Sequence, residues 1–142
     1  MLENRKARHN YEILEKLEAG IVLKGTEVKA VRDGKVDFTG SFARFDRGEL
    51  WLEDLYIAPY EKGSYANHEP RRRRKLLLNK HELKKLLGKV QQKGYTLVPL
   101  KMYFNERGYA KILLALARGK RDYQKKEDEK QRAVERELEK WY

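Results

Sequence analysis

The chain is 142 residues long, 40% hydrophobic and 39% charged, enough apolar material for one modest core beneath an unusually charged surface. Lys and Arg number 33 against 22 Asp and Glu, a net charge of +11, and a folded domain this basic calls for a polyanionic partner, nucleic acid ahead of a membrane surface. The absence of cysteine excludes disulfides, thiolate zinc sites and cysteine nucleophiles, and fits a reducing compartment.

Met1 to Asn10 is polar and basic, reads as a basic arm, and has no apolar stretch of the secretory kind. The longest apolar run, Ile112 to Ala117, is far too short to cross a bilayer, so a cytoplasmic protein is expected. Tyr11 to Leu23 fits two periods: Ile13, Leu14 and Leu17 suit a helix, whereas Ile13, Glu15, Leu17, Ala19 and Ile21 suit a strand. Val28 and Val31 predict a short helix capped by Thr26 and ended by Gly34. Val36 to Phe38 and Glu49 to Ile57 alternate as strands, with a turn at Asp46-Arg47-Gly48 and a stop at Pro59.

Gly63 to Pro70 has loop chemistry, and the basic run Arg71-Arg72-Arg73-Arg74-Lys75 follows. The clearest helix comes next: Asn79 is its N-cap, Glu82 takes the capping-box position, and Leu83, Leu86, Leu87 and Val90 share one face, with Gly94 closing it. A second hairpin joins Tyr95–Phe104 to Tyr109–Leu116 across Asn105 to Gly108. From Gly119 the composition changes: Gly119 to Tyr142 holds eight Lys/Arg and seven Asp/Glu with few aliphatics. Such a segment predicts a tail that is disordered or partly helical on its own. The fold class is therefore mainly β with a few helices, a small antiparallel barrel of the oligonucleotide-binding kind. The expected division is a domain over residues 1–118 and a charged tail over 119–142.

No catalytic constellation is recognisable. His9, His68 and His81 are far apart and at no ligand spacing, so no metal is expected; His68 reads as a loop residue and His81 as a solvated one. Gly88-Lys89 and Gly119-Lys120 lack the rest of a phosphate-binding loop, and neither Ser41 nor Ser64 lies in a nucleophile elbow. No enzymatic activity and no cofactor are expected. RNA-binding features are better represented. The Arg71–Lys75 run offers phosphate contacts, with a solvated loop as its alternative. Aromatics interleave with basic residues at Arg44-Phe45-Asp46-Arg47, at Lys101-Met102-Tyr103-Phe104 and at Tyr109 before Lys111, where exposed rings would stack on unpaired bases.

Asn4-Arg5-Lys6-Ala7-Arg8-His9-Asn10-Tyr11 and Glu18-Ala19-Gly20-Ile21-Val22-Leu23-Lys24-Gly25-Thr26-Glu27-Val28-Lys29 resemble the N-terminal signature of the small protein B (SmpB) family, the bacterial SsrA-binding proteins. Arg74-Lys75-Leu76-Leu77-Leu78-Asn79 resembles its central segment, and Gly108-Tyr109-Ala110-Lys111 and Gly119-Lys120 its C-terminal ones. The resemblance runs from about Asn4 to Lys126. It implies an oligonucleotide-binding barrel and reads Tyr11 to Leu23 as strand. It also implies that the protein binds the tRNA-like domain of transfer-messenger RNA and accompanies it to ribosomes stalled on broken messages.

On that resemblance, Asn4, Lys6, Arg8, His9, Tyr11, Glu18, Arg74, Lys75, Leu77, Asn79 and Lys111 are candidates for the RNA-facing surface or its support. Glu18 could accept hydrogen bonds from base or sugar donors, or form an ordinary salt bridge; Leu77 could equally be core. Gly119, Lys120, Arg121, Tyr123, Gln124, Lys125 and Lys126 would contact the ribosome, in the decoding centre and vacant messenger path of 16S rRNA. Here Tyr123 stands where the family often has histidine, and Gln124 where it often has aspartate. Alanyl-tRNA synthetase and elongation factor Tu are implied as indirect partners through the same RNA.

Overall fold

The computed structural model describes residues 2–60, 67–92 and 94–119. Among these, nine strands and three helices follow in the order β1 (Leu2–Glu3), α1 (Arg5–Asn10), β2 (Tyr11–Ile21), α2 (Gly25–Arg32), β3 (Val36–Asp37), β4 (Phe42–Asp46), β5 (Glu49–Glu53), β6 (Tyr56–Ile57), β7 (Arg74–Leu77), α3 (Lys80–Val90), β8 (Tyr95–Phe104) and β9 (Ala110–Gly119). The stretch expected as a basic arm is thus a short strand and a helical turn and a half.

Seven strands form one antiparallel sheet in the order β1-β8-β4-β5-β7-β2-β9, and β8 also pairs with β9. The pairings of β8, β4, β5, β7, β2 and β9 therefore run in a ring that returns to β8, as expected of a barrel of the oligonucleotide-binding kind. Its seams are short: β4 meets β8 at Ala43↔Leu97, and β2 meets β7 at Gly20↔Leu77 and Ile21↔Leu76. Strand β2, whose pattern fits two periods, pairs with β9 from Tyr11 to Gly20. That long partner decides it as strand.

Alternation sends Ala19, Ile21, Leu50, Leu52, Leu76, Leu97, Met102, Ile112, Leu114 and Leu116 inward, where Ala30 and Val31 of α2 and Leu86 of α3 join them. A second apolar cluster lies on the outer side of the sheet, where Ala7 of α1 covers Val98, Leu100, Ala115 and Ala117. Being covered on both faces is why β8 and β9 carry continuous apolar runs rather than clean alternation. Pro99 is accommodated in β8 beside an irregularity between Pro99 and Lys101, where a missing ladder donor costs little.

The turn of the first hairpin uses two residues with positive φ, Arg47 at 53° and Gly48 at 79°, the geometry that matches strand twist. The expected strand from Glu49 to Ile57 is broken at Asp54, where φ is 58°, and β6 leaves the main sheet to pair with β3. In α2 the N-cap is Lys24, not Thr26: Glu27 reaches back to accept from the Lys24 backbone N–H at 2.8 Å. Thr26 is instead hydrogen-bonded to His68 Nδ1 at 2.8 Å. His68, expected as an ordinary loop residue, is buried, with Nε2 2.9 Å from the Ile57 carbonyl. Helix α3 starts as expected, Asn79 Oδ1 accepting from the Glu82 N–H at 2.8 Å.

Candidate nucleic-acid interface

The ladder registers place Leu77, Gly20, Lys111 and Tyr103 in one row across β7, β2, β9 and β8. Adjacent strands lie about 4.8 Å apart, so the row is roughly 15 Å wide. Its residues are out of phase with the core-facing Leu76, Ala19, Ile21, Ile112 and Met102, so they present the barrel's outer side. Leu77 is 51% exposed and Val22, two residues beyond Gly20, is 46% exposed. Leu77 is therefore not core: its side chain lies over Gly20, where an added Cβ would sit 3.3 Å from Leu77 Cβ. A glycine at this point lets an apolar side chain lie flat on the sheet.

Glu18, also on the outer side of β2, accepts a short hydrogen bond from the Tyr103 hydroxyl. Partial burial, then the hydrogen bond to Glu18 and its negative charge, push the Tyr103 phenol up to about 12. The phenol thus stays protonated and donates. One oxygen of Glu18 is engaged there, leaving the other free to accept from a base or sugar donor. The salt-bridge reading of Glu18 gives way to this Tyr103 contact. Tyr109, 64% exposed, stands just before β9 at the same end. Gly20, Val22 and Tyr103 belong to this face as much as the motif residues do. The sequence signals for them were the Glu18–Lys29 motif itself and the Lys101–Phe104 interleaving.

A second group lies at the other end of β2. Lys6, Arg8 and His9 are exposed on α1, and Tyr11 pairs with Gly119, so the chain leaves β9 beside α1. Nine residue steps along β2 separate Tyr11 from Gly20, at most about 30 Å. Tyr11 itself is half-buried against the outer apolar cluster, and Lys6, Tyr11, Phe42 and Thr96 help line a hollow of about 200 Å³. Asn4 supports rather than faces this surface. Its Oδ1 accepts from the Ala7 N–H at 3.2 Å, and its Nδ2 donates to the Pro99 carbonyl at 2.8 Å, locking α1 to β8.

The basic run departs most from expectation. Arg74 is fully buried: its guanidinium pairs with Glu27 and donates to the carbonyls of Leu55 and Pro70. It is enclosed by the fold and presents nothing to the outer surface. Burial pushes the Arg74 guanidinium down, opposed by Glu27; burial also raises the Glu27 carboxyl, but Arg72, the Lys24 N–H and Arg74 outweigh it and hold Glu27 below its ordinary value. Arg72 pairs with the same Glu27. Arg73 pairs with Asp46 and Glu53, both at 3.0 Å, and lies over the Trp51 ring at 4.3 Å. Arg71 lies over the Tyr56 ring at 5.5 Å, and Lys75 pairs with Glu49 at 3.2 Å. The densest charge in the sequence is largely neutralised by the fold.

Gly119 ends β9 and is exposed. Lys120, Arg121, Tyr123, Gln124, Lys125 and Lys126 lie outside the described residues. Among the described residues no cluster of three or more His, Cys, Asp or Glu could hold a metal ion, and no helix is long and apolar enough to cross a membrane.

A small antiparallel barrel whose outer strand face bears the exposed Leu77 and Glu18 beside the half-buried Lys111 and Tyr103 has the build of an oligonucleotide-binding module. The family model for SmpB protein matches residues 1–142, and the chain belongs to that family. An SsrA-binding protein of Thermus thermophilus is 75% identical over 139 residues, covering 98% of this chain and 96% of that protein. The SsrA-binding protein of Carboxydothermus hydrogenoformans is 58% identical over 138 residues, covering 97% and 92%. A chain in the solved structure described as "tmRNA-SmpB: a journey to the center of the bacterial ribosome" is 81% identical and superposes with a TM-score of 0.72 over 84% of this chain and 83% of that one.

Proposed function

We propose that this chain is a binding protein without catalysis that holds the tRNA-like domain of transfer-messenger RNA and brings it to stalled ribosomes for rescue. The single observation that carries the reading is the outward-facing row Leu77, Gly20, Lys111 and Tyr103 with Glu18 beside it, assembled from motifs far apart in sequence. An apolar side chain, a phenol, a carboxylate and an ammonium on one surface suit sugars, base edges and phosphates together. Names such as SsrA-binding protein among relatives at 75% and 58% identity support it.

In this reading residues 1–118 form the RNA-holding domain. Residues 119–142 are a tail that enters the decoding centre and the vacant messenger path, with Gly119, Lys120, Arg121, Tyr123, Gln124, Lys125 and Lys126 as its contacts. The pairing of Tyr11 with Gly119 supports a tail that starts beside the exposed cations of α1, away from the Leu77 face. The reading also places the protein in the cytoplasm.

The test has two parts. The intact chain should bind transfer-messenger RNA with strong preference over unrelated RNA of equal length at physiological salt; equal affinity would reduce it to a general RNA-binding protein. Truncation after Gly119 should leave that affinity nearly intact while abolishing rescue of stalled ribosomes. Loss of RNA binding on truncation would overturn the division of labour.

A further inference from the structure

The solvent-facing side of α3 holds positive charge of a different kind from the Arg71–Lys75 run. At 100° per residue, Leu83, Leu86 and Val90 share the side that packs on the core, and Gly88 projects from the opposite side, flanked by His81, Lys84 and Lys85 with Lys80 at the margin. Lys80, His81, Lys84, Lys85 and Gly88 are all exposed. Among the described residues, no carboxylate lies within ion-pair distance of Lys80, Lys84 or Lys85, although Lys89, with Lys85 adding to it, holds the Glu15 carboxyl below its ordinary value; Arg72, Arg73, Arg74 and Lys75 are each ion-paired. Lys89, nearer the core side, is taken by Glu15.

Gly88 is the second observation. It lies inside a helix where glycine costs roughly 1 kcal/mol relative to alanine. No turn or close packing in the fold requires it: an added Cβ would meet nothing within 4 Å. A residue without a side chain at the centre of a lysine stripe lets a rigid anionic backbone come close to the helix while the flanking ammoniums reach its charges.

The stripe is continuous with the strand face. Asn79, the N-cap of α3, comes two residues after Leu77. A cleft of about 500 Å³ between β2 and α3 is lined by both Glu18 and Lys85. We infer that the outer face of α3 is a second docking surface, seating the phosphate backbone of the same RNA that the Leu77–Tyr103 row holds, with Lys80, Lys84 and Lys85 on phosphates and Gly88 at the point of closest approach. This rests on the RNA-binding reading above and extends its footprint by about 16 Å, the length of an eleven-residue helix.

The experiment measures salt-dependent binding of the full chain to a transcript of the tRNA-like domain of transfer-messenger RNA. Lys84→Gln with Lys85→Gln is compared with a control of equal charge change, Arg32→Gln with Lys35→Gln, two exposed positions at and just after the end of α2. The α3 variant should lower the log–log salt slope by about 1.4–1.8, and the control should change it little. Gly88→Ala should raise the melting temperature by roughly 3 °C, and Gly88→Gln should weaken RNA binding several-fold in a protein that still folds. Equal slopes for the two charge variants, or unchanged affinity for Gly88→Gln, would overturn the inference while wild-type binding upholds the functional reading. So would loss of ribosome binding with transcript binding unchanged, since the surface would then serve a different RNA. Failure of the wild type to prefer the transcript would instead overturn the functional reading itself.

Discussion

Replacing Arg74 by Met separates the two roles that a buried arginine in a basic run could have. Met retains much of the apolar stem but removes the guanidinium, leaving Glu27 in the interior with Arg72 and the Lys24 N–H as its remaining donors. It also leaves the Leu55 and Pro70 carbonyls short of a donor. Breaking one side of a buried pair costs about 3–5 kcal/mol, a large share of the roughly 5–15 kcal/mol that holds a domain together. Urea denaturation should therefore show a markedly lower midpoint with an unchanged slope.

The effect should also depend on pH in a defined direction. Glu27 is held below its ordinary value in the folded protein, so its contribution is complete above the unfolded carboxylate range and is lost as pH falls through that range and below. Arg74→Met should blunt this acid sensitivity. Adding Glu27→Gln should recover part of the stability, because a neutral pair no longer strands a charge. RNA affinity per folded molecule and its salt slope should not move. A variant of near wild-type stability whose salt slope drops by about 0.7–0.9 would refute the reasoning, because Arg74 would then be a phosphate contact.

Two further outcomes follow from the strand face. Glu18→Gln removes the charge beside Tyr103, so the phenol should titrate below its present value of about 12 and nearer to an ordinary tyrosine; difference absorbance against Tyr103→Phe isolates that group. Gly20→Val places branched carbon against Leu77, whose Cβ is already 3.3 Å from the position of an added Cβ, and should lift Leu77 off the sheet. RNA binding should weaken at least tenfold, with a stability loss of about 1–3 kcal/mol read by thermal melting. Undiminished binding would remove Leu77 from the interface.

Features that depend on neighbours in the chain are legible in the sequence alone. The Asn79 cap and the apolar side of α3, the glycine turns of both hairpins and the stop before Pro59 each follow from a few adjacent residues. Where short-range patterns compete, distant partners decide. Tyr11 to Ile21 is a strand because β9 offers it an antiparallel edge about ninety residues later. Thr26 loses the capping role because Glu27 reaches the Lys24 N–H, leaving the threonine hydroxyl to His68.

The sequence by itself determined the family, the mainly β character and a strong positive balance looking for a polyanion. Only the tertiary structure decided where that charge is available. Glu27 is 45 and 47 residues from Arg72 and Arg74, and no local pattern says that one carboxylate will neutralise both. The same long-range contacts set Leu77, Gly20, Lys111 and Tyr103 in one row and leave Lys80, Lys84 and Lys85 of α3 facing water. The physical reason is that local interactions reach only a few residues along the chain, whereas strand pairing and ion pairing act wherever the fold brings groups together.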